Sequence, residues 1–198
     1  MNSRLSIGLI LLLVVTGRAA PNEQKEIQEL YRRGLAGDEA AVEQCITRLE
    51  DVTKSEPENQ LARVYLGSAY TLRSRDLGFG PGKLRALRHG LALMDAAVAA
   101  APEEAKVRLA RALTTSALPS LFGRKSQSRE DFAVLAQLAD KAPAKFEEGD
   151  LELVYYRAGL AAKEMGAAEK AIALWKKALA HPVDPKLTDK VRSELKQP

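Results

Sequence analysis

The sequence predicts an all-α fold made of paired helices. Apolar residues recur at steps of three and four through most segments after residue 21, which is the spacing of one buried helix face. Sustained alternation of Val, Ile and Thr is absent from the sequence, and so are the Asn-Gly and Asp-Gly turns typical of β-hairpins. Glycine and proline interrupt the helical pattern repeatedly, so the helices are predicted to be joined by tight turns.

The first residues have the layout of a secretory signal peptide. Arg4 precedes an apolar run from Leu5 to Val15, and the small residues Gly17, Ala19 and Ala20 follow it. Cleavage after Ala19 would assign residues 1–19 to the signal and residues 20–198 to one helical domain, located in the periplasm or secreted. The alternative is an uncleaved membrane anchor. The run is shorter than the ~20 apolar residues that span a bilayer, which favours cleavage and argues against stable membrane insertion afterwards.

Charge and cysteine content argue against a nucleic-acid-binding protein and against a fold held by internal disulfides. The formal net charge is +4, and loss of Arg4 and Arg18 with the signal lowers it to about +2, which is too small to indicate nucleic-acid binding. Cys45 is the only cysteine, so no internal disulfide can form. It lies on an apolar helical stripe with Val42 and Ile46, which predicts a buried side chain instead of a reactive thiol.

The clearest helical hairpin lies between residues 151 and 182. Each of its two segments carries one apolar stripe at helical spacing, and Gly166 separates them. Small and aromatic residues at fixed places in this hairpin resemble the tetratricopeptide repeat (TPR), a helix-turn-helix unit of about 34 residues. The matching positions are Tyr155, Ala158, Gly159, Ala162, Gly166, Ala171, Trp175 and Ala178, with Pro182 one residue earlier than in the repeat.

Further copies of the pattern precede this hairpin. The second-best copy is carried by Leu66, Gly67, Tyr70, Gly90, Met94, Ala97 and Pro102. A weaker copy ends at Pro143, and the pair 22–35 and 38–54 follows the pattern only loosely. With residues 185–197 as a polar capping helix, the resemblance implies a right-handed α-solenoid of three to four TPR-like hairpins, with insertions within two of them.

An insertion of about eleven residues, which includes the glycine-rich loop 77–80, separates the helices of the second-best copy. It is not part of a Walker loop, because Gly82-Lys83 is followed by Leu84 instead of the Ser or Thr that holds magnesium. A similar insertion, residues 119–127, lies at the equivalent point of the next copy, and its residues 120–123 resemble the loop 77–80. Each Phe could tuck under its own hairpin as a plug, which we favour. The alternative is a partner-binding rim formed by Phe79 and Phe122 with the basic residues Arg75, Lys83, Arg124 and Lys125.

By the same resemblance, the first helices of successive repeats would line a concave groove that binds a protein or a peptide. The residues expected there are Arg63, Val64, Ser68, Arg108, Arg111, Thr115, Tyr156, Leu160 and Lys163. The basic members of this set would suit an acidic or carboxylate-bearing partner. The alternative for each residue is ordinary solvated helix surface.

No motif in the sequence indicates an enzyme or a cofactor. His89 and His181 are the only histidines, and neither has Cys, Asp or Glu residues at metal-ligand spacing. The nucleophile motif Gly-x-Ser-x-Gly is also absent from the sequence. The predicted function is an exported, non-catalytic scaffold that binds a protein or peptide in its groove. The alternative is a carrier for a small molecule or lipid, which needs an apolar pocket of ~300 Å3 or more beneath the insertions.

Overall fold

The computed structural model describes residues 21–196, and every element assigned in this range is helical. The α-helices are α1 (Pro21–Leu35), α2 (Glu39–Ser55), α3 (Gln60–Asp76), α4 (Pro81–Ala100), α5 (Ala105–Ala117), α6 (Lys125–Lys141), α7 (Glu148–Glu164), α8 (Ala168–Ala178) and α9 (Pro185–Lys196). Two short 3-10 helices cover Ser120–Phe122 and Pro143–Lys145. The all-α prediction is confirmed. The predicted signal peptide and Gln197 lie outside the described residues.

Contacts between Cα atoms divide the chain into two compact units, one ending at Ala97 and the other beginning at Val98. The boundary falls within α4, so each unit is described by itself. Between residues 21 and 196, no helix combines the length and the apolarity that crossing a membrane requires.

Unit 1 contains α1, α2, α3 and most of α4, with α2 packed against both α1 and α3. The turn from α1 to α2 is closed by Gly37, whose φ of 101° is a conformation that glycine adopts without steric cost. The next residue, Asp38, accepts a hydrogen bond from the backbone N–H of Ala41 at 3.0 Å and so caps α2. The buried apolar residues include Ile27, Leu30, Val42, Ile46, Leu49 and Leu61.

Helices α3 and α4 approach each other closely at two glycines. A Cβ atom built on Gly90 would lie 2.4 Å from the carbonyl oxygen of Gly67, and one built on Gly67 would lie 2.5 Å from the carbonyl oxygen of Gly90. Met94 packs beside them and is fully buried. These are positions that the repeat pattern marks, and only residues without a Cβ fit them.

Unit 2 contains the end of α4 and helices α5 to α9, in which successive helices from α5 onward pack against each other. Trp175 of α8 is 2 % exposed and lies over Gly159 of α7, where a Cβ would stand 2.2 Å from its indole nitrogen. The indole N–H donates to the carbonyl oxygen of Tyr156 at 3.2 Å. Gly166, with φ of 76°, forms the turn between the two helices as the sequence predicts. The buried apolar residues include Val107, Leu109, Phe132, Leu135, Val154 and Val191.

The predicted insertions differ in form. Helix α3 continues to Asp76 and α4 begins at Pro81, so most of the extra residues extend the helices and only residues 77–80 form a loop. Proline is compatible with the first position of a helix, which explains the early start of α4. The other insertion contains the 3-10 helix Ser120–Phe122 and a turn at Gly123, whose φ is 69°.

The predicted capping helix is observed as α9, and a buried carboxylate fastens it to α7. Glu152 is 0 % exposed, and one of its carboxylate oxygens accepts from the backbone N–H groups of Val183 at 3.0 Å and Asp184 at 2.8 Å. The other oxygen accepts from the hydroxyl of Thr188 in α9. We call these contacts of Glu152 the α9 latch.

Candidate functional site

The two arginines predicted to line the groove on α5 are bound to a buried acid. Asp131 of α6 is 1 % exposed, and its carboxylate accepts from Arg108 at 2.8 Å and from Arg111 at 2.9 and 2.8 Å. Arg108 also donates to the carbonyl oxygen of Pro102 at 2.8 and 3.2 Å. We call these three side chains the Asp131 cluster. Its hydrogen bonds tie α5 to α6, so these guanidinium groups stabilise the fold.

Thr115 and Ser68 also lie inside the protein. Thr115 is 0 % exposed, and its hydroxyl donates to the carbonyl oxygen of Arg111 at 2.8 Å. Ser68 is buried and shares a hydrogen bond of 2.6 Å with the hydroxyl of Tyr31, which links α3 to α1. Both hydroxyls are therefore covered by the helices of their own units.

Arg63 is the predicted groove residue of α3 that stays partly exposed. Its guanidinium donates to the side-chain oxygen of Gln60 at 2.8 Å and to the carbonyl oxygen of Pro57 at 2.7 Å. Both acceptors are uncharged, so the positive charge of Arg63 is not neutralised by these contacts.

Helix α7 carries the predicted groove residues that remain accessible in unit 2. Tyr156 and Leu160 are partly exposed, and Lys163 is exposed. Their neighbour Arg157, which the sequence did not place in the groove, is also partly exposed. Burial raises the pKa of the Tyr156 hydroxyl, with Glu194 as a smaller cause. Lys163 donates to Glu194 of α9 at 2.8 Å, and its ammonium group lies 5.6 Å from the centre of the Trp175 ring system. We call Tyr156, Arg157, Leu160 and Lys163 the α7 surface.

Arg157 contributes an unusual polar group to the α7 surface. Its Nε atom is buried and has no hydrogen-bond partner among the described residues. A buried donor without an acceptor is costly, and a guanidinium binds carboxylates well. The α7 surface therefore combines an aromatic residue, an aliphatic residue and two cations.

The two Phe loops have different environments. Phe79 is fully exposed, at 106 % of its reference area, so the plug interpretation is wrong for this residue. A loop of only four residues between two long helices holds the ring away from the hairpin. Phe122 lies in the short 3-10 helix and is partly buried, whereas its neighbour Leu121 is 79 % exposed. The binding-rim interpretation stays a prediction for both loops.

A polar cluster joins Asp140 of α6, Tyr155 of α7 and Lys177 of α8. Asp140 accepts from the Tyr155 hydroxyl at 3.0 Å and from Lys177 at 2.6 Å. Desolvation and the Asp140 carboxylate raise the pKa of Tyr155 to about 12, so this phenol stays protonated at neutral pH. His181 stacks on Tyr155 and contacts Glu148 at 2.6 Å. Among residues 21–196, no group of His, Cys, Asp and Glu side chains has an arrangement suited to a metal ion.

Helices α6, α7 and α8 enclose a small cavity of about 60 Å3. It is lined mainly by alanines of α6 and α7, together with Met165, Leu174 and the polar residues Gln137, Asp140 and Lys170. A drug-sized ligand needs ~300 Å3 or more, so this cavity does not support the carrier alternative.

Sequence reasoning missed the two buried carboxylates that organise unit 2. Asp131 and Glu152 each lie on the buried stripe of a helix, next to Phe132 and to Leu151 and Leu153. An acid on a buried stripe requires donors nearby, and this signal could have identified both residues. It could also have assigned Arg108 and Arg111 to Asp131, since basic residues three apart lie on one helix face.

Comparison with known proteins supports the fold. The chain is similar to a thermophilic TPR protein from Thermus thermophilus, whose crystal structure superposes with a TM-score of 0.59 and 19 % sequence identity over 85 % of this chain and 81 % of that one. No protein-family model matches the sequence. No curated protein matches it significantly. At this identity the likeness concerns the fold alone, and it confirms the TPR-like fold predicted from the sequence.

Proposed function

We propose that the protein is a non-catalytic scaffold that binds a protein or peptide partner after export. The TPR-like fold carries this proposal, because helical hairpins of this kind present helix surfaces for recognition. The apolar stripes are buried between the packed helices of the hairpins, so the exposed helix faces remain for a partner. The polar clusters described above are accounted for by packing and capping.

The partner would bind the α7 surface in unit 2. This surface offers Tyr156 and Leu160 for apolar contact, and its cations Arg157 and Lys163 suit carboxylates, with Lys163 exchanging its bond to Glu194 for the partner. The positive charge of the α7 surface favours an acidic segment. Arg108 and Arg111 keep their structural role in this proposal.

The test is affinity capture from an envelope extract, with the chain that begins at Ala20 as bait. The double variant Tyr156→Ala/Lys163→Ala should lose the captured partners. The matched control is Ile172→Ala/Lys176→Ala, which removes one aliphatic and one basic side chain from exposed positions of α8. Circular dichroism should show that both variants remain folded. Identical partners for the wild type and the α7 variant would refute the proposal for this surface.

Export needs a separate measurement. Fractionation of cells that express the full chain, followed by mass spectrometry of the N-terminus, should find a mature protein beginning at Ala20 in the periplasm or the medium. Recovery of the intact N-terminus in the cytoplasm would contradict export and leave the binding proposal to be judged by the capture experiment.

A further inference from the structure

The loop between α3 and α4 projects apolar side chains into water. Leu77 and Leu84 are 40 % and 47 % exposed, and the fully exposed Phe79 lies between them in sequence. The nearby ammonium group of Lys83 donates to the carbonyl oxygen of Leu77 at 3.2 Å, which holds the start of α4 against the end of α3. We call residues 77–88 the α3–α4 tip.

Composition sets the α3–α4 tip apart from ordinary protein-binding surface. Every residue from 77 to 88 is apolar, glycine, proline or basic, and the basic residues are Lys83, Arg85 and Arg88. The segment contains no carboxylate, amide or hydroxyl side chain. Such a surface has no side-chain acceptor and few groups that could fix the orientation of a folded partner.

The positive charge of the tip is not neutralised by its surroundings. Arg85 and Arg88 are exposed, and neither makes a hydrogen bond or ion pair to another described residue. Asp76, the acid immediately before the tip, is already paired with Arg75 at 2.6 Å. The first turn of α4 also lacks an acidic residue, so the partial positive charge of the helix N-terminus adds to that of the side chains.

We propose that the α3–α4 tip docks reversibly on a bilayer surface that carries anionic lipid headgroups. Phe79, Leu77 and Leu84 would enter the boundary between headgroups and acyl chains, while Arg85 and Arg88 would stay among the phosphates. This arrangement of apolar side chains with Lys and Arg is the one that interfacial membrane anchors use. A bilayer suits a protruding ring, because it deforms around the side chain and requires no preformed pocket. The docking is peripheral and requires neither the N-terminal apolar segment nor the α7 surface.

Vesicle co-sedimentation tests this proposal. Every described helix begins at or after Pro21, so the chain from Ala20 keeps all of them and lacks the apolar run of residues 5–15. It should bind vesicles of phosphatidylcholine with about a third phosphatidylglycerol at low salt, and bind pure phosphatidylcholine at least tenfold more weakly. High salt should release it, because surface charges are then screened.

Variants of the tip should weaken binding in proportion to what they remove. Each basic residue near an anionic surface contributes about fivefold in affinity, so Arg85→Glu/Arg88→Glu should reduce vesicle binding by at least about 25-fold. Phe79→Ser should reduce it about tenfold or more, through loss of apolar burial. The matched control Lys176→Glu/Lys190→Glu reverses two exposed charges of unit 2 and should change binding less than about threefold.

A fluorescent label identifies the part of the chain that meets the lipid. Cys45 is buried, and burial raises its pKa to about 12, so a cysteine placed at Leu84 is the reactive thiol in the native protein. The fluorescence emission maximum of an environment-sensitive dye on Leu84→Cys should move to shorter wavelength when anionic vesicles are added. The emission of the same dye on Lys176→Cys should not move. The proposal would be overturned by equal binding to the two lipid compositions or by unchanged binding of both tip variants. It would also be overturned if the dye on Leu84→Cys shifted its emission with envelope proteins and not with protein-free vesicles.

Discussion

Replacing Glu152 by alanine should release the capping helix α9 from α7. The α9 latch consists of three donors on one carboxylate: the N–H groups of Val183 and Asp184 and the hydroxyl of Thr188. A hydrogen bond to a charged group is worth about 1.5–3 kcal/mol. The free energies of the three hydrogen bonds cannot simply be added. Val183 and Asp184 are exposed, so water can solvate their N–H groups in Glu152→Ala. Thr188 is buried, so we expect a loss of about 2–4 kcal/mol in the free energy of unfolding.

A conservative variant separates the shape of Glu152 from its charge. Glu152→Gln keeps the length of the side chain and one carbonyl oxygen for the two backbone donors, so it should cost about 1–2 kcal/mol. Glu194→Gln is the matched control on α9, because its partner Lys163 is half exposed and such pairs contribute under about 1 kcal/mol.

Urea denaturation followed by circular dichroism measures the loss, and amide hydrogen exchange shows where it occurs. In Glu152→Ala, the amides of α9 should lose protection before those of α5 and α6, since the latch joins only α7 and the segment that contains α9. A Glu152→Ala variant within about 0.5 kcal/mol of the wild type, or one with unchanged protection of α9, would refute the reasoning.

Three further predictions concern backbone packing, pH and the Asp131 cluster. Gly90→Ala should lower the free energy of unfolding by about 2–4 kcal/mol in urea denaturation, because its Cβ would stand 2.4 Å from a backbone oxygen. Gly82→Ala in the same helix should not lower it, because no described atom lies within 4 Å of its Cβ. Burial, aided by Glu147, raises the pKa of Asp150 to about 6, so the folded state holds this proton more tightly than the unfolded state. The stability of the wild type relative to Asp150→Asn should therefore fall by about 1–3 kcal/mol between pH 4 and pH 7, and a flat difference would contradict this. Asp131→Ala leaves two guanidinium groups without their acid. Its thermal unfolding should show a free energy of unfolding lower than that of the wild type by about 3–5 kcal/mol.

The helices of the best-matched hairpin follow from sequence because local and packing signals agree there. Gly166 supplies the positive φ that ends α7, and Gly159 leaves the space that Trp175 occupies. Periodicity identifies the buried stripe, and the small residue opposite the aromatic one fixes how the two helices meet. Both features lie between Gly159 and Trp175, so a single hairpin contains the information.

The candidate site was harder to predict, because a helical stripe gives the direction of a side chain and not its partner. Arg108 and Arg111 lie on one face of α5, but their partner Asp131 lies about twenty residues away on α6. Whether an arginine on a helix faces solvent or a buried acid depends on the packing of the next helix. For the same reason, the ring of Phe79 could not be placed from its neighbours in the sequence.

The glycines of the α3–α4 hairpin show why residue type alone does not separate packing from binding. Gly67 and Gly90 lie where two backbones meet, and any side chain there would collide with a carbonyl oxygen. Gly78 and Gly82 have no described atom within 4 Å of the Cβ position, so packing within the hairpin does not require them. Small residues at the tip instead leave Phe79 standing clear of its own protein. Since an exposed ring gains nothing from folding, its position is explained better by contact with an outside apolar phase than by stability.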